Sequence, residues 1–174
     1  SSLNVLITGS SRGLGLAFTE GLRAGGAKVV LNRRDETALR RSAVRLKKKG
    51  VDVYPYAFDV LDPPGIHEAV RKMEQEVGPL DVLVNNAGLN IRAPLEDFDL
   101  AEWDRVIGIN LCGTFHTGQA VARHMIPRRR GKIINICSLQ SELGRPTISP
   151  YTAAKGGLKN LTRGMAVEWG KYNI

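Results

Sequence analysis

The chain has 174 residues, of which 43% are hydrophobic, enough for one globular domain with a real core. Its net charge of +8 comes with no aromatic residues among the basic runs, so solvated faces are favoured over nucleic-acid binding. No apolar run approaches the roughly 20 residues of a membrane span. We therefore expect a cytoplasmic protein with no nucleic-acid or membrane partner, no bound metal, and buried free thiols at Cys112 and Cys137.

Apolar strand-like runs alternate with helical patterns along the chain. We predict strands at 4–8, 28–32, 53–60, 80–86 and 132–138, and helices at about 14–24, 35–49, 64–77 and 100–126. The fourth helix should be interrupted near Gly108 or Gly113, and a last helix, with Ser149 as N-cap and Pro150 in its first turn, should run to about 170. This alternation predicts one α/β domain over 1–174: a doubly wound parallel sheet of Rossmann type, in three αβα layers.

The segment "TGSSRGLG" (8–15) joins the first predicted strand to the first helix. Gly9, Gly13 and Gly15 allow the backbone to approach a ligand closely, and the helix N-terminus adds N–H groups and a positive dipole end. The turn therefore predicts an anion-binding site. The alternative is a tight turn that needs glycine for its conformation only.

Near the end of the chain, Tyr151 and Lys155 lie four positions apart and should share one face of the last helix. A free phenol has a pKa of about 10, and a nearby ammonium favours the phenolate. Such a pair can serve as an acid–base. Taken alone, however, it favours a half-buried tyrosine beside a solvated lysine, and the rest of the chain has to decide.

Further motifs accompany that pair. The spacing T-G-x-x-x-G-x-G is followed by "NNAG" (85–88), by "IN" (109–110), by Ser138 and by Tyr151-x-x-x-Lys155. In this order and spacing the chain resembles the short-chain dehydrogenases/reductases over nearly its whole length. Within that family the stretch 134–165, above all "SLQSELGR", resembles the gluconate 5-dehydrogenases, which interconvert gluconate and 5-ketogluconate.

The resemblance implies an oxidoreductase that interconverts a secondary alcohol and a ketone. Tyr151 would be the acid–base, Lys155 would support it and hold the nicotinamide ribose, and Ser138 would orient the substrate oxygen. Asn110 would hold a water that links Lys155 to solvent. Three histidines lie outside these motifs and are interpreted as ordinary helix residues: His67, His116 and His124.

The resemblance also implies a nicotinamide cofactor. Arg33 falls where NAD-dependent members carry Asp, Arg34 follows it, and Arg12 falls where many NADP members have a basic residue. A 2′-phosphate matches the guanidinium fork, so NADP(H) is favoured, while Asp35 keeps NAD(H) open. The implied cofactor-binding residues are Gly9, Ser11, Arg12, Gly13, Leu14, Gly15, Arg33, Arg34, Asp59, Val60, Asn86, Ala87, Gly88, Tyr151 and Lys155.

A sugar-acid substrate brings a carboxylate, which needs a cation or a backbone nest. Arg92 and Arg145 lie in suitable predicted loops, and Gln140 and Glu142 could bind hydroxyls beside Ser138 and Tyr151. Alternatively, Arg145 pairs with Glu142 only to shape its loop.

Two other functions stay open: a 3-oxoacyl-type reductase on the same scaffold, and a non-catalytic nucleotide-binding or structural protein. Family resemblance implies a homotetramer, with the helices around 101–126 and 151–170 at the interface. Their apolar residues include Val106, Phe115, Val121, Leu158, Leu161 and Met165. Family members continue with a strand, a helical segment and a final strand, so we expect the 174 residues to belong to a longer chain.

Overall fold

A computed structural model describes residues 2–174, apart from the side chain of Arg23. The strands are β1 (Asn4–Ile7), β2 (Lys28–Arg33), β3 (Val53–Ala57), β4 (Val82–Asn85) and β5 (Lys132–Asn135). The helices are α1 (Gly13–Leu22), α2 (Glu36–Lys48), α3 (Pro63–Glu76), α4 (Leu100–Ile107), α5 (Gly113–Arg128) and α6 (Ser149–Trp169). A π-helical turn joins α4 to α5 (Gly108–Cys112), and single 3-10 turns occur at Arg23–Gly25, Leu139–Ser141 and Gly170–Tyr172.

The strands form one parallel sheet in the order β3-β2-β1-β4-β5. The chain winds outward from β1 to β3 and then crosses back to β4 and β5, so the winding direction reverses between β1 and β4. Ligands of open α/β sheets bind outside the carboxyl ends of the strands at such a reversal. The predicted doubly wound α/β fold is confirmed.

Apolar side chains pack on both faces of the central strands, as their near-continuous hydrophobic runs predict. On one face Leu6 and Leu83 pack with residues of α3 and α5; on the other Ile7 and Leu31 pack with residues of α2. At the edge strand β5 the second face is open, since Ile134 is 49% exposed. The predicted covering of both faces therefore holds for the inner strands and not for β5.

Several predicted boundaries were wrong, among them the end of β5, which lies at Asn135 and not at 138, so Ser138 follows that strand by three residues. β3 ends at Ala57, because Asp59 accepts hydrogen bonds from the N–H groups of Leu61 (2.9 Å, side chain) and Asp62 (3.1 Å, carbonyl), which fold the chain into a turn. Asp59 therefore follows the strand instead of ending it. Ser149 is not an N-cap either: α6 begins with it, and the buried Ile148 occupies the cap position.

The predicted interruption of the fourth helix is confirmed. The π-helical turn begins at Gly108 and is followed by Gly113, the two glycines that marked the break in the sequence. Such turns are rare and recur at functional sites. Here the turn carries Asn110, whose side chain is completely buried.

The surface corrects two further expectations. Val106, Val121 and Leu158 have no exposed surface, so they cannot form contacts between subunits. Phe115 is 41% exposed, and the tetramer itself stays a prediction.

Both cysteines are free but half-buried instead of buried. Within the described residues, no helix is long and apolar enough to span a bilayer.

Candidate active site

The glycine-rich turn is fixed to the end of β4 by side-chain hydrogen bonds. The Thr8 hydroxyl accepts from the N–H groups of Asn86 and Ala87, both at 3.0 Å. The Asn86 amide in return donates to the carbonyls of Thr8 (3.0 Å) and Gly9 (3.2 Å). Gly9 has φ 64°, a left-handed conformation that favours glycine. These contacts hold the turn open at the carboxyl edge of the sheet.

Asn32 is a structural residue of the site that the sequence analysis missed. It is 2% exposed, and its side-chain oxygen accepts from the Gly9 N–H (3.4 Å) while its amide donates to the Phe58 carbonyl (3.0 Å). It therefore joins the ends of β1, β2 and β3. The available signal was a polar residue closing the apolar run "KVVLN".

Gly15 is needed for close packing of the turn. A Cβ there would lie 2.5 Å from the Gly9 carbonyl oxygen and 2.6 Å from the Asn86 amide nitrogen. A side chain at Gly15 would therefore clash with protein, and its predicted contact with a ligand stays a prediction. At Gly13, in contrast, φ is 54° and no atom lies within 4 Å of the Cβ position, so this part of the turn is open.

A cavity of about 710 Å³ lies against the turn and the ends of β2, β3 and β4. Among the predicted cofactor residues, it is lined by Gly9, Ser11, Arg12, Gly13, Leu14, Arg33, Arg34, Asp59, Val60, Asn86, Ala87 and Gly88. Gly15, Tyr151 and Lys155 lie outside its lining. The structure adds lining residues outside the predicted cofactor set: Asn32, Phe58, Leu89, Arg105, Ile109, and Asp35, which the sequence analysis considered only as an acid that would keep NAD(H) open.

The cavity wall carries four arginines and two aspartates, so it favours an anion with more than one charge. Arg33 donates to the Ser11 hydroxyl (3.4 Å), and Arg34 pairs with Asp59 at 3.4 Å. Asp35 caps α2 by accepting from the Ala38 N–H at 2.9 Å. Because the Asp35 carboxylate is engaged at the N-terminus of α2, it does not neutralise the positive charge of both neighbouring arginines.

This arrangement fits a nicotinamide dinucleotide. The open turn at the N-terminus of α1 can take a pyrophosphate, and the arginines beyond it can take a further phosphate. The cavity continues to Asn86, Ala87 and Gly88, towards the edge that carries Ser138. The part of the cavity beside Arg33 and Arg34 is suited to the more highly charged part of the ligand.

The face of α6 that carries Tyr151 and Lys155 packs against the end of β5. Lys155 is 5% exposed, and its Nζ donates to the Ile136 carbonyl at 2.6 Å. The same Nζ lies 5.7 Å from the centre of the Tyr151 ring. Burial lowers the pKa of Lys155 below its ordinary value, and the Cys137 sulfur partly opposes this. The ammonium and the phenol ring therefore lie side by side on one face of α6.

Ser138 reaches the same sheet edge from β5. Its hydroxyl oxygen accepts from the Gln140 N–H (3.2 Å) and its own N–H donates to the Ser141 hydroxyl (3.3 Å), which fixes its backbone in a small capping box. The hydroxyl proton remains able to donate to a ligand oxygen. Asn85 and Asn135 are register partners, so Gly88 and Ser138 follow neighbouring strands at equal distance.

Asn110 connects the segment after β4 to α4 through side-chain hydrogen bonds. Its amide donates to the carbonyls of Leu89 (2.6 Å) and Val106 (2.8 Å), and its oxygen accepts from the Leu89 N–H (3.3 Å). Both amide hydrogens are used, so the side chain positions the loop beside the cavity. Its role in holding a water stays a prediction.

Arg92 and Arg145, two of the predicted substrate residues, lie on two loops that the Ala93 N–H and the Thr147 carbonyl join at 3.1 Å. Arg92 and Arg145 are both exposed. The suggested Arg145–Glu142 pair was wrong: Glu142 pairs with Lys159, whose hydrogen bond and charge lower the pKa of that carboxyl.

Two buried oxygens beside the same site have no hydrogen-bond partner among the described residues. They belong to Gln140 (Oε1) and to Thr152, the neighbour of Tyr151. Buried polar atoms are almost always hydrogen-bonded, so both oxygens are suited to a donor from a bound ligand or water.

The three histidines lie on helices, as interpreted. His116 Nδ1 is 3.1 Å from the Val60 carbonyl oxygen, and His124 Nδ1 is 3.9 Å from Glu74. Among the described residues, no group of three or more His, Cys, Asp or Glu side chains could hold a metal ion.

Comparison with known proteins agrees with this arrangement. The sequence profile of the short chain dehydrogenase family matches residues 3–174. The chain is 49% identical over 174 residues to the gluconate 5-dehydrogenase of Gluconobacter oxydans, covering 100% of this chain and 68% of that protein. It is 47% identical over 173 residues to the 5-keto-D-gluconate 5-reductase of Escherichia coli K12, covering 98% of this chain and 67% of that protein.

A solved structure is equally similar. It is a gluconate 5-dehydrogenase from Burkholderia cenocepacia J2315 in complex with NADP and tartrate, with a TM-score of 0.95 and 47% identity. The match covers 99% of this chain and 68% of that one. The chain therefore spans about two thirds of the length of these relatives.

Proposed function

The chain belongs to the short-chain dehydrogenases, and we propose that it is an NADP(H)-dependent oxidoreductase that interconverts gluconate and 5-ketogluconate or a closely similar sugar acid. One observation carries the proposal. Ser138 and the Tyr151–Lys155 face lie at the carboxyl edge of the sheet, beyond a cavity lined by four arginines. Two of the similar proteins, the Gluconobacter and Escherichia enzymes, are named for this pair of sugar acids.

When bound, the nicotinamide supplies the hydride acceptor or donor at the reacting carbon. The protein then has to manage one proton. In the oxidation direction Tyr151, as phenolate, takes the hydroxyl proton of the alcohol while the carbon loses hydride, and in reduction the phenol returns it to the ketone oxygen. Ser138 donates a hydrogen bond to that oxygen, and Lys155 stabilises the phenolate.

The choice of NADP(H) rests on the charges at the end of β2. Arg33 and Arg34 occupy the end of that strand and the residue after it, and the nearby Asp35 is engaged in capping α2. A ribose 2′-phosphate supplies the charge that these arginines match, whereas a ribose hydroxyl does not. The similar Burkholderia structure holds NADP, which supports the same choice.

Replacing Arg34 by Ala is expected to weaken NADPH far more than NADH, because only NADPH has the 2′-phosphate. A charge-assisted hydrogen bond contributes about 1.5–3 kcal/mol. The kcat/KM for NADPH divided by the kcat/KM for NADH should therefore fall by about tenfold or more. Steady-state kinetics with both cofactors measure this ratio. Arg41→Ala, which removes an exposed arginine of α2 outside the cavity, is the matched control. Equal weakening of both cofactors would show that Arg34 contacts a part that they share.

A sugar-acid substrate is the choice that suits the loops beyond Ser138. Arg92 and Arg145 offer exposed cations for a carboxylate, and the unpaired Gln140 oxygen offers an acceptor for a hydroxyl. Glu142 is already paired with Lys159, so we assign it mainly a structural role in its loop and only a secondary role in binding the substrate.

The decisive experiment is NADPH oxidation, followed by its absorbance, with 5-ketogluconate and with an acetoacetyl thioester as alternative substrates. We expect turnover with the sugar acid at a kcat/KM well above that for the thioester. Faster turnover of the thioester would favour the 3-oxoacyl-type reductase instead. Binding of NADPH without turnover of either compound would favour a non-catalytic nucleotide-binding protein.

A further inference from the structure

A chain of polar side chains, buried at Asn85 and half-buried at Asn135 and Thr162, crosses from the sheet to α6 beneath the proposed site. The Asn85 amide on β4 donates to the Asn135 side-chain oxygen on β5 at 2.9 Å. The Asn135 amide donates to the Thr162 hydroxyl at 2.9 Å, and that hydroxyl donates to the Leu158 carbonyl at 2.8 Å. The chain thus links two strands to the helix that carries Tyr151 and Lys155.

The link meets α6 on the same face as the reacting groups. Tyr151, Lys155, Leu158 and Thr162 follow one another at spacings of four, three and four residues, which keeps them on one side of a helix. Lys155 makes the other polar contact of this face, to the Ile136 carbonyl. The two contacts are seven residues apart on α6, about two helical turns, and end on adjacent residues of the chain at β5.

The rest of this face is apolar, and its contacts do not fix the rotation of α6 about its axis. Leu158 is 0% and Met165 is 8% exposed, and apolar contacts of this kind tolerate small rotations and slides. Hydrogen bonds are directional, and the half-buried Asn135 amide would lose its partner on α6 if the helix rotated. The nearest substitute for the Thr162 hydroxyl is the Met165 sulfur, 3.6 Å from the Asn135 amide, which is a weak acceptor.

We propose that Asn85, Asn135 and Thr162 are positioning residues that fix the rotation of α6 about its axis. They thereby keep the Tyr151 side chain in its position relative to Ser138, which follows Asn135 by three residues. The proposal rests on the proposed function, because Tyr151 and Ser138 are the reacting pair in it. A misplacement of about 1 Å in such a pair can cost about 10²-fold in rate.

Thr162→Val keeps the shape of the side chain and removes the hydroxyl. We expect kcat to fall by at least about tenfold, while KM for NADPH changes little because the arginine-lined cavity is untouched. Thr162→Ser, which restores the hydroxyl, should recover most of kcat. The control is Thr117→Val: the Thr117 side chain is buried, whereas Thr162 is half-buried, and the Thr117 hydroxyl donates only to the Gly113 carbonyl of its own helix, at 3.0 Å.

A second measurement separates this proposal from the proposed function. Amide hydrogen exchange should become faster in the α6 segment 155–165 in Thr162→Val, and not in Thr162→Ser or Thr117→Val. If the wild-type protein turns over no sugar acid, the proposed function fails, and the exchange result still decides whether the link holds α6. Unchanged exchange, or a loss of kcat shared by Thr117→Val, would overturn the positioning role.

Discussion

Replacing Tyr151 by Phe is expected to lower kcat by about 10²–10⁴-fold, the usual contribution of a positioned acid–base, while NADPH binding stays close to that of the wild type. The ring of Tyr151 is half-buried on α6, and phenylalanine keeps it, so the packing beside Lys155 survives. Only the ionisable hydroxyl disappears. The reaction then has no group of the protein to take or return the proton of the substrate oxygen. Stopped-flow or steady-state absorbance of NADPH measures kcat, and NADPH fluorescence measures binding.

The chain offers a matched control for this variant. Tyr172 also has a lysine ammonium near its ring, with Lys171 Nζ at 5.2 Å from the ring centre, but it lies in the turn after α6, well away from Lys155 in sequence. Tyr172→Phe should therefore keep full activity. If Tyr151→Phe kept more than about a tenth of wild-type kcat, Tyr151 would not be the acid–base.

The features that the sequence predicted well are local or periodic. Alternating apolar runs and helical patterns come from repeated short-range choices, and the turn with Gly9 and Gly13 carries its conformation in its own residues. Tyr151 and Lys155 are one helical turn apart, so their common face needs no tertiary information. The break between α4 and α5 was visible for the same reason, because Gly108 and Gly113 mark it.

The features that the sequence did not predict depend on neighbours far along the chain. Asn32 matters because Gly9 and Phe58 lie beside it, 23 and 26 residues away. The partner of Glu142 is Lys159, 17 residues on, and not the nearby Arg145. Arg105 faces the cavity because α4 packs there, although it carries no motif. A hydrogen-bond or charge partner set by packing leaves no mark in the local pattern.

Replacing Lys155 by Met is expected to remove most activity, by about 10²-fold or more, and to change how stability depends on pH. Methionine keeps a long unbranched side chain in the buried position and removes the ammonium that stabilises the phenolate. The wild-type lysine is 5% exposed, and burial lowers its pKa in the folded protein. An unfolded lysine keeps its proton up to its ordinary pKa of about 10.4. Between the two pKa values the unfolded chain binds more protons, so this lysine makes the free energy of unfolding rise with pH.

The cost of burying charged Lys155 is therefore complete below its pKa in the folded protein and is relieved as the pH rises from that value towards about 10. The free energy of unfolding of Lys155→Met, compared with that of the wild type, should therefore be more favourable at about pH 7 than at about pH 10. The variant also removes the hydrogen-bond donor to the Ile136 carbonyl, and this loss does not depend on pH. Urea unfolding at about pH 7 and about pH 10 measures the difference, with kcat measured in parallel. Lys48→Met, on the exposed side of α2, should show neither effect. A stability difference that stayed constant with pH would show that Lys155 does not titrate differently in the folded state, and near-normal kcat would remove it from the mechanism.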